Sequence, residues 1–155
     1  MQEHDLHAND TPLMARLLGL AGLIPFFAGG LIGWLPVGLT LKLGVIDIAI
    51  TYATLIASFL GGVRWGANLE RRDDFVFVLS VIPSLLVLIC LFFPTPLALG
   101  LLTLIFIALG IIDIFDGRRG VLTGWYGALR LWLTLGASAS LASMALWFIL
   151  NAVDR

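Results

Sequence analysis

One arginine of this sequence lies at the end of a long apolar stretch. Arg64 occurs in Ser58-Phe-Leu-Gly-Gly-Val-Arg-Trp-Gly66, where a permanently charged guanidinium needs a partner, a route to water or a function. Asp113 lies near the end of a later apolar stretch and Arg130 at the start of the next one. Guanidinium and carboxylate groups form strong, charge-assisted hydrogen bonds. These residues could therefore form an ion pair between helices or bind an anionic group.

Five apolar runs of about 20 residues position these charges, and each is long enough to cross a bilayer as a helix. The chain of 155 residues is 60% hydrophobic and 12% charged, with mean hydropathy +1.05, whereas soluble domains carry about 25% charged residues. We therefore predict an all-α, polytopic integral membrane protein, a bundle of five transmembrane helices. The predicted tail is residues 1–12 and the single domain residues 13–152, with spans at about 13–34, 45–66, 75–93, 97–115 and 128–152.

The positive charges predict an orientation. With five spans, the side that holds the N-terminus has seven of the nine basic residues, namely Arg16, Arg64, Arg71, Arg72, Arg118, Arg119 and Arg130. The other side has Lys42 and Arg155. Because basic residues accumulate in cytoplasmic loops, we predict a cytoplasmic N-terminus and a periplasmic C-terminus.

This topology brings the membrane-embedded charges to one level. Arg64, Asp113 and Arg130 all fall at the cytoplasmic ends of their spans, with Asp116 and Tyr126 as further members of a candidate polar cluster. Three interpretations stay open for it. The cluster is a structural ion pair or a set of helix-end arginines that extend to the headgroups, a pocket for a lipid headgroup or partner, or part of a transport path.

Small residues and prolines predict how the spans pack. In lipid, helices approach closely through small side chains, and the second predicted span has two adjacent small-residue stripes. Its candidate packing residues are Ala53, Ala57, Gly61, Gly62 and Gly66. Packing within the bundle is one interpretation, and homodimerisation through one stripe is the alternative. Pro25 and Pro83 lie inside the first and third spans, where each is expected to kink its helix.

Several kinds of site are disfavoured. The two histidines, His4 and His7, lie in the polar tail, so no span offers a histidine ligand for haem or a histidine base for a serine nucleophile. Cys90 is the single cysteine, which excludes an intrachain disulfide. No basic stripe is present to bind nucleic acid. We expect no metal, no cofactor and no catalytic residues.

Four segments together resemble the domain-of-unknown-function 3429 family, which includes the eukaryotic transmembrane protein 69. They are Leu18-Gly-Leu-Ala-Gly-Leu-Ile-Pro-Phe26, Ser58-Phe-Leu-Gly-Gly-Val-Arg-Trp-Gly66, Ser80-Val-Ile-Pro-Ser84 and Trp125-Tyr-Gly-Ala-Leu-Arg130, the last followed by Leu133-Thr134. The Gly-Gly-Val-Arg-Trp-Gly piece is the most distinctive. The resemblance implies a small polytopic inner-membrane protein, and it assigns no activity, substrate or cofactor.

The expected function is non-catalytic. We expect a multi-pass accessory, assembly or scaffolding protein of a bacterial inner membrane. Its expected partners are membrane lipids and another inner-membrane complex, or a second copy of the chain. The alternative is a small oligomeric transporter or channel for a small, anionic solute, with Arg64 near its cytoplasmic mouth. Five spans in one short chain leave little room for an enclosed aqueous path, which disfavours that alternative.

Overall fold

A computed structural model describes residues 12–118 and 124–152, and throughout these two ranges all regular structure is helical. Most of the predicted tail therefore lies outside the described residues. Six helices follow one another along the chain: α1 (Leu13–Ala21), α2 (Ile24–Ile32), α3 (Leu39–Ala67), α4 (Asp74–Cys90), α5 (Thr95–Arg118) and α6 (Gly124–Ala152). The all-α prediction is confirmed.

Four stretches of the described chain are long and apolar enough to cross a membrane, where the sequence predicted five. They are Leu13–Ile32, Leu39–Ala67, Thr95–Gly117 and Trp125–Asn151, and α4 is a shorter apolar helix. The third predicted span ends early because Leu91, Phe92 and Phe93 each donate a backbone hydrogen bond to a carbonyl three residues back, ahead of Pro94. With 17 residues, α4 is about 26 Å long, slightly less than the hydrocarbon core of about 30 Å.

The first predicted span is interrupted rather than merely kinked. Pro25 has no N–H, and its ring excludes the carbonyl four residues earlier, so α1 ends at Ala21 and α2 begins with Pro25 in its first turn. Between them, the Leu23 N–H donates to the Leu20 carbonyl at 3.0 Å. Pro83, in contrast, lies inside an uninterrupted α4, and the kink expected there stays a prediction.

The turn between α3 and α4 is tied by one buried side chain. The Nδ2 atom of Asn68 donates to the Asp73 carbonyl at 2.7 Å, and the Asp73 N–H donates to Oδ1 of Asn68 at 3.3 Å. The Asp73 carboxylate then accepts from the Phe75 N–H and caps α4. This compact turn returns the chain so that α4 lies against α3.

The two small-residue stripes of α3 have different environments. Ala53 and Ala57 have no exposed surface, and a Cβ added at Gly61 would overlap the Ser80 carbonyl of α4. Gly62 and Gly66 are exposed, and apart from the adjoining residues and the backbone of α3 itself, no atom of the described chain lies within 4 Å of where their Cβ atoms would be. Within the described residues the first stripe is thus buried, whereas Gly62 and Gly66 lie on the outside of α3. The two stripes look alike in the sequence, because both consist of small residues. Residue type alone does not tell which face of a helix packs against a neighbouring helix.

The core is apolar and so is the outer surface. The largest side chains with almost no exposed area are Phe26, Ile46, Leu99, Leu102, Phe106, Leu141 and Met144. Outside, large apolar side chains are widely exposed, for example Phe59 at 65% and Leu104 at 64%. An apolar exterior of this extent fits a helix bundle whose surroundings are lipid rather than water.

Candidate functional site

Four charged residues meet at one end of the bundle. Arg64 lies in the last turn of α3, Asp113 and Asp116 lie near the end of α5, and Arg130 lies in the second turn of α6. Since Asp113 and Asp116 are three positions apart, they share a helix face. We refer to Arg64, Asp113, Asp116 and Arg130 as the ion-pair cluster.

The Asp113 carboxylate is shared between two arginines. Its Oδ1 accepts from Nη2 of Arg64 and its Oδ2 accepts from Nε of Arg130, both at 2.8 Å. Nη2 of Arg64 also lies 3.2 Å from Oδ2 of Asp116. Arg64, Asp113 and Arg130 are each no more than 5% exposed, whereas the Asp116 side chain is 20% exposed. One buried carboxylate therefore connects α3, α5 and α6.

These hydrogen bonds between helices are possible because α5 and α6 lie close together. α5 and α6 share the most extensive interface of the described structure. Gly110 of α5 leaves room for Thr134, because a Cβ there would overlap the threonine side chain. At Gly127 of α6 the nearest atoms of α5 are the Cα atoms of Ile114 and Gly117, at 3.8 Å from a notional Cβ. These small residues bring Arg130 within hydrogen-bonding distance of Asp113.

The charges of the ion-pair cluster balance. Two guanidiniums face two carboxylates, which offsets the cost of about 2.5–3.5 kcal/mol for placing an unpaired arginine at the centre of a membrane helix. The hydrogen-bond donors of the cluster, in contrast, are not all paired with acceptors in the described structure. Nε of Arg64 and Nη2 of Arg130 are buried without an acceptor in the structure as described. A buried donor that lacks an acceptor carries a free-energy cost.

The arrangement favours structural chemistry over catalysis. Both oxygens of Asp113 are occupied by arginine donors, so this carboxylate is poorly placed to take a proton from a substrate. Within residues 12–118 and 124–152, no three histidine, cysteine or acidic side chains are grouped to hold a metal ion. What the geometry can do is hold three helices in one register.

Of the five residues expected in the candidate polar cluster, the structure brings four together. Tyr126, the fifth, lies one turn before Arg130 and is half-buried. Its ring packs edge-on against Trp125, with the centroids 6.0 Å apart. Tyr126 therefore lies beside the ion-pair cluster and is one of the residues that line a neighbouring cavity.

A second set of polar contacts, at the opposite end of the bundle, was not expected. Nε1 of Trp34 donates to Oγ of Ser143 at 2.9 Å, and Oγ of Ser143 donates to the Gly30 carbonyl at 2.8 Å. Nζ of Lys42 donates to the Gly33 carbonyl at 2.7 Å, where the C-terminal end of a helix favours a cation. Ser143 follows a run of small residues in the last span, Gly136-Ala-Ser-Ala-Ser140, and this run was the available signal. The partners of Ser143 are over a hundred residues away.

We expect Asp113 to carry most of the stabilisation in the ion-pair cluster. Asp113→Asn removes the carboxylate that two buried guanidiniums share, and breaking a buried ion pair in this way typically costs about 3–5 kcal/mol. Asp116→Asn is the matched control, because that carboxylate is partly exposed and binds one arginine at a longer distance, so the loss is less than about 1 kcal/mol. Thermal unfolding of the purified variants in detergent, followed by tryptophan fluorescence, measures both. Equal losses from the two variants would contradict the assignment.

Comparison with known proteins agrees with the fold. The sequence matches the family described as "Protein of unknown function (DUF3429)" over residues 11–146. It is 34% identical over 145 residues to Transmembrane protein 69 of Xenopus tropicalis, a match that covers 89% of this chain and 56% of that protein. The chain thus spans little more than half the length of this relative. No solved structure matches. The protein is a membrane protein with several apolar helices, and it belongs to the DUF3429 family.

Proposed function

We propose that this protein is a non-catalytic accessory, assembly or scaffolding component of a bacterial inner membrane, and that it docks another inner-membrane protein through α3. The observation that carries the proposal is the outward-facing pair Gly62 and Gly66. These glycines form a Gly-x-x-x-Gly motif in the last two turns of α3, a pattern that serves helix–helix contact in membranes.

The glycine pair belongs to a longer stripe. Thr54, Ser58, Gly62 and Gly66 follow one another at steps of four along α3, and none of the four is buried. A helix from another protein can approach this stripe closely, because among the described residues no side chain other than those of the adjoining positions lies within 4 Å of the Cβ site of either glycine. Van der Waals contact between backbones is the main source of association in lipid. The stripe is therefore available to a partner in a way that the Ala53–Gly61 stripe is not.

The bundle interior disfavours transport as the main function. Ile46, Leu99, Leu141 and Met144 are at most 1% exposed and lie toward the end of the bundle opposite the ion-pair cluster. Along α3, Ile46 is 18 residues from Arg64, which is about 27 Å. A close-packed apolar layer of this kind gives a small anion no polar route from Arg64 to the far side.

The partner test compares glycines that each have open space at the Cβ position. Gly62→Leu and Gly66→Leu fill the proposed contact, and Gly100→Leu in α5 is the control, because its Cβ also meets no atom within 4 Å. Each tagged variant is expressed at native level, solubilised in mild detergent, and its co-purifying proteins are quantified by mass spectrometry. We expect a partner protein that co-purifies with wild type and with Gly100→Leu. Its amount should be at least tenfold lower with Gly62→Leu and with Gly66→Leu.

Other outcomes would change the assignment. Retention of every co-purifying protein by Gly62→Leu and Gly66→Leu would contradict docking through α3. Recovery of a second, differently tagged copy of this chain alone would assign the stripe to self-association. Solute flux by the purified protein in liposomes, lost in Arg64→Ala, would favour the transporter.

We also propose the orientation derived from the charges, with a cytoplasmic N-terminus and a periplasmic C-terminus. It requires α4 to cross the membrane despite its 17 residues, a length at the lower end of what spans. A C-terminal alkaline phosphatase fusion is expected to be active and a C-terminal fluorescent-protein fusion dark. A fusion after Arg72 serves as the cytoplasmic control. The reverse pattern at the C-terminus would mean that an even number of segments crosses.

A further inference from the structure

A cavity of about 340 Å³ lies beside the ion-pair cluster, between the α1–α2 segment and helices α3, α5 and α6. This volume is at the low end of the range for small-molecule sites, about 300–1,000 Å³. The walls are mainly aliphatic and aromatic, and three polar side chains interrupt them: Tyr52, Tyr126 and Arg130. A mainly apolar lining with a few polar groups is the usual composition of a ligand pocket.

Arg130 gives this cavity a specific polar requirement. The residue is 4% exposed, and its Nε donates to Asp113. Its Nη2 is buried and has no acceptor in the described part of the chain. Arg130 is among the residues that line the cavity, and a buried donor without an acceptor is costly and rare. An oxygen acceptor placed beside its guanidinium would supply what the described residues do not.

The charge balance of the ion-pair cluster defines the kind of acceptor. The charges of Arg64 and Arg130 are already matched by Asp113 and Asp116. An anionic ligand would add an uncompensated negative charge next to two carboxylates in a low-dielectric site. A neutral carbonyl oxygen accepts the same hydrogen bond without that cost. The tyrosine hydroxyls in the wall are further donors for such a group.

Aromatic side chains shape the apolar part of the cavity. The ring of Phe26 packs edge-on against Tyr52 and against Phe106, with centroids 5.5 and 5.4 Å apart. Edge-to-face contacts of this kind fix ring positions, so this wall is formed before any ligand enters. A ring or a chain of apolar carbon atoms would fill it.

Access from the bilayer is through the weakly packed wall. Ala15, Leu18 and Gly19 of α1 line the cavity, and α1 has no buried residue. The helix break at Gly22–Leu23 separates α1 from the well-packed α2. An element with few buried contacts opens at low free-energy cost, so a membrane-dissolved molecule can enter sideways.

We propose that this cavity binds a neutral, membrane-dissolved molecule that combines an apolar ring or chain with a carbonyl oxygen, the carbonyl accepting from Arg130. Two sources supply this chemistry in a membrane, an isoprenoid quinone and the acyl ester of a lipid. The site is independent of the partner face of α3, so it stands whether or not that docking is found.

The test uses Trp125, which lines the cavity, as a fluorescence reporter in the purified full-length protein. One probe is a short-chain benzoquinone, which quenches tryptophan emission, and the other is a phospholipid with a brominated, ester-linked acyl chain. Each has an ether counterpart in which ether oxygens replace the carbonyl oxygens. The brominated ether lipid is measured by direct quenching, and the dialkoxybenzene, which is not a quinone, is measured by its competition with the benzoquinone. Ala15→Phe fills the cavity, and Met14→Phe is the control, because Met14 is 68% exposed and outside the lining. Neither variant touches the ion-pair cluster.

We expect saturable quenching by at least one probe, absent in Trp125→Phe. Its affinity should fall at least tenfold in Ala15→Phe and for the ether counterpart, and stay unchanged in Met14→Phe. Saturation by the benzoquinone alone would identify a quinone, and saturation by the brominated lipid alone an acyl ester. Absence of saturable quenching by both probes would overturn the proposal. So would equal binding of the ether counterparts, or equal effects of Ala15→Phe and Met14→Phe with both proteins folded.

Discussion

The structure depends on the requirement that a charge removed from water be matched by an opposite charge nearby. Asp113 meets it for two arginines at once, each bound at 2.8 Å to a separate carboxylate oxygen. Because the three side chains come from α3, α5 and α6, the requirement fixes the relative rotation of these helices. Lipid supplies no hydrophobic force between helices, so a directional interaction of this kind has unusual weight in setting the register.

Small residues let the helices pack closely enough for these charges to meet. Gly61 admits the Ser80 carbonyl of α4, and Gly110 admits Thr134 of α6; a side chain at either position would separate the helices. With these contacts made, the remaining features have distinct environments. Gly62 and Gly66 are left on the outside, where they suit a partner helix, and the spare donor of Arg130 is left beside an apolar cavity. The proposed docking face and the proposed ligand site are thus consequences of one packing arrangement.

The helices could be predicted from the sequence, but their rotation about their own axes could not. Run length and hydropathy predict the apolar helices, and antiparallel order alone places Arg64, Asp113 and Arg130 at one end. The sharing of Asp113 was not predictable, because it depends on which face α5 turns to each neighbour. Similarly, the two stripes of α3 look equivalent in sequence, although Ala57 is buried and Gly62 is exposed. Pro25 signals a distortion, but the sequence does not tell whether the helix bends there or, as in the structure, ends at Ala21 and begins again at Ile24.

The most direct test of this account measures coupling rather than single losses. Two double-mutant cycles, Arg64→Met with Asp113→Asn and Arg130→Met with Asp113→Asn, are followed by the free energy of unfolding in detergent micelles. If one carboxylate serves both arginines, each cycle gives a coupling energy within about 0.5–3 kcal/mol, the range for residues in contact. Additive losses in either cycle would show that Asp113 does not hold that arginine, and would contradict a shared carboxylate as the basis of the bundle.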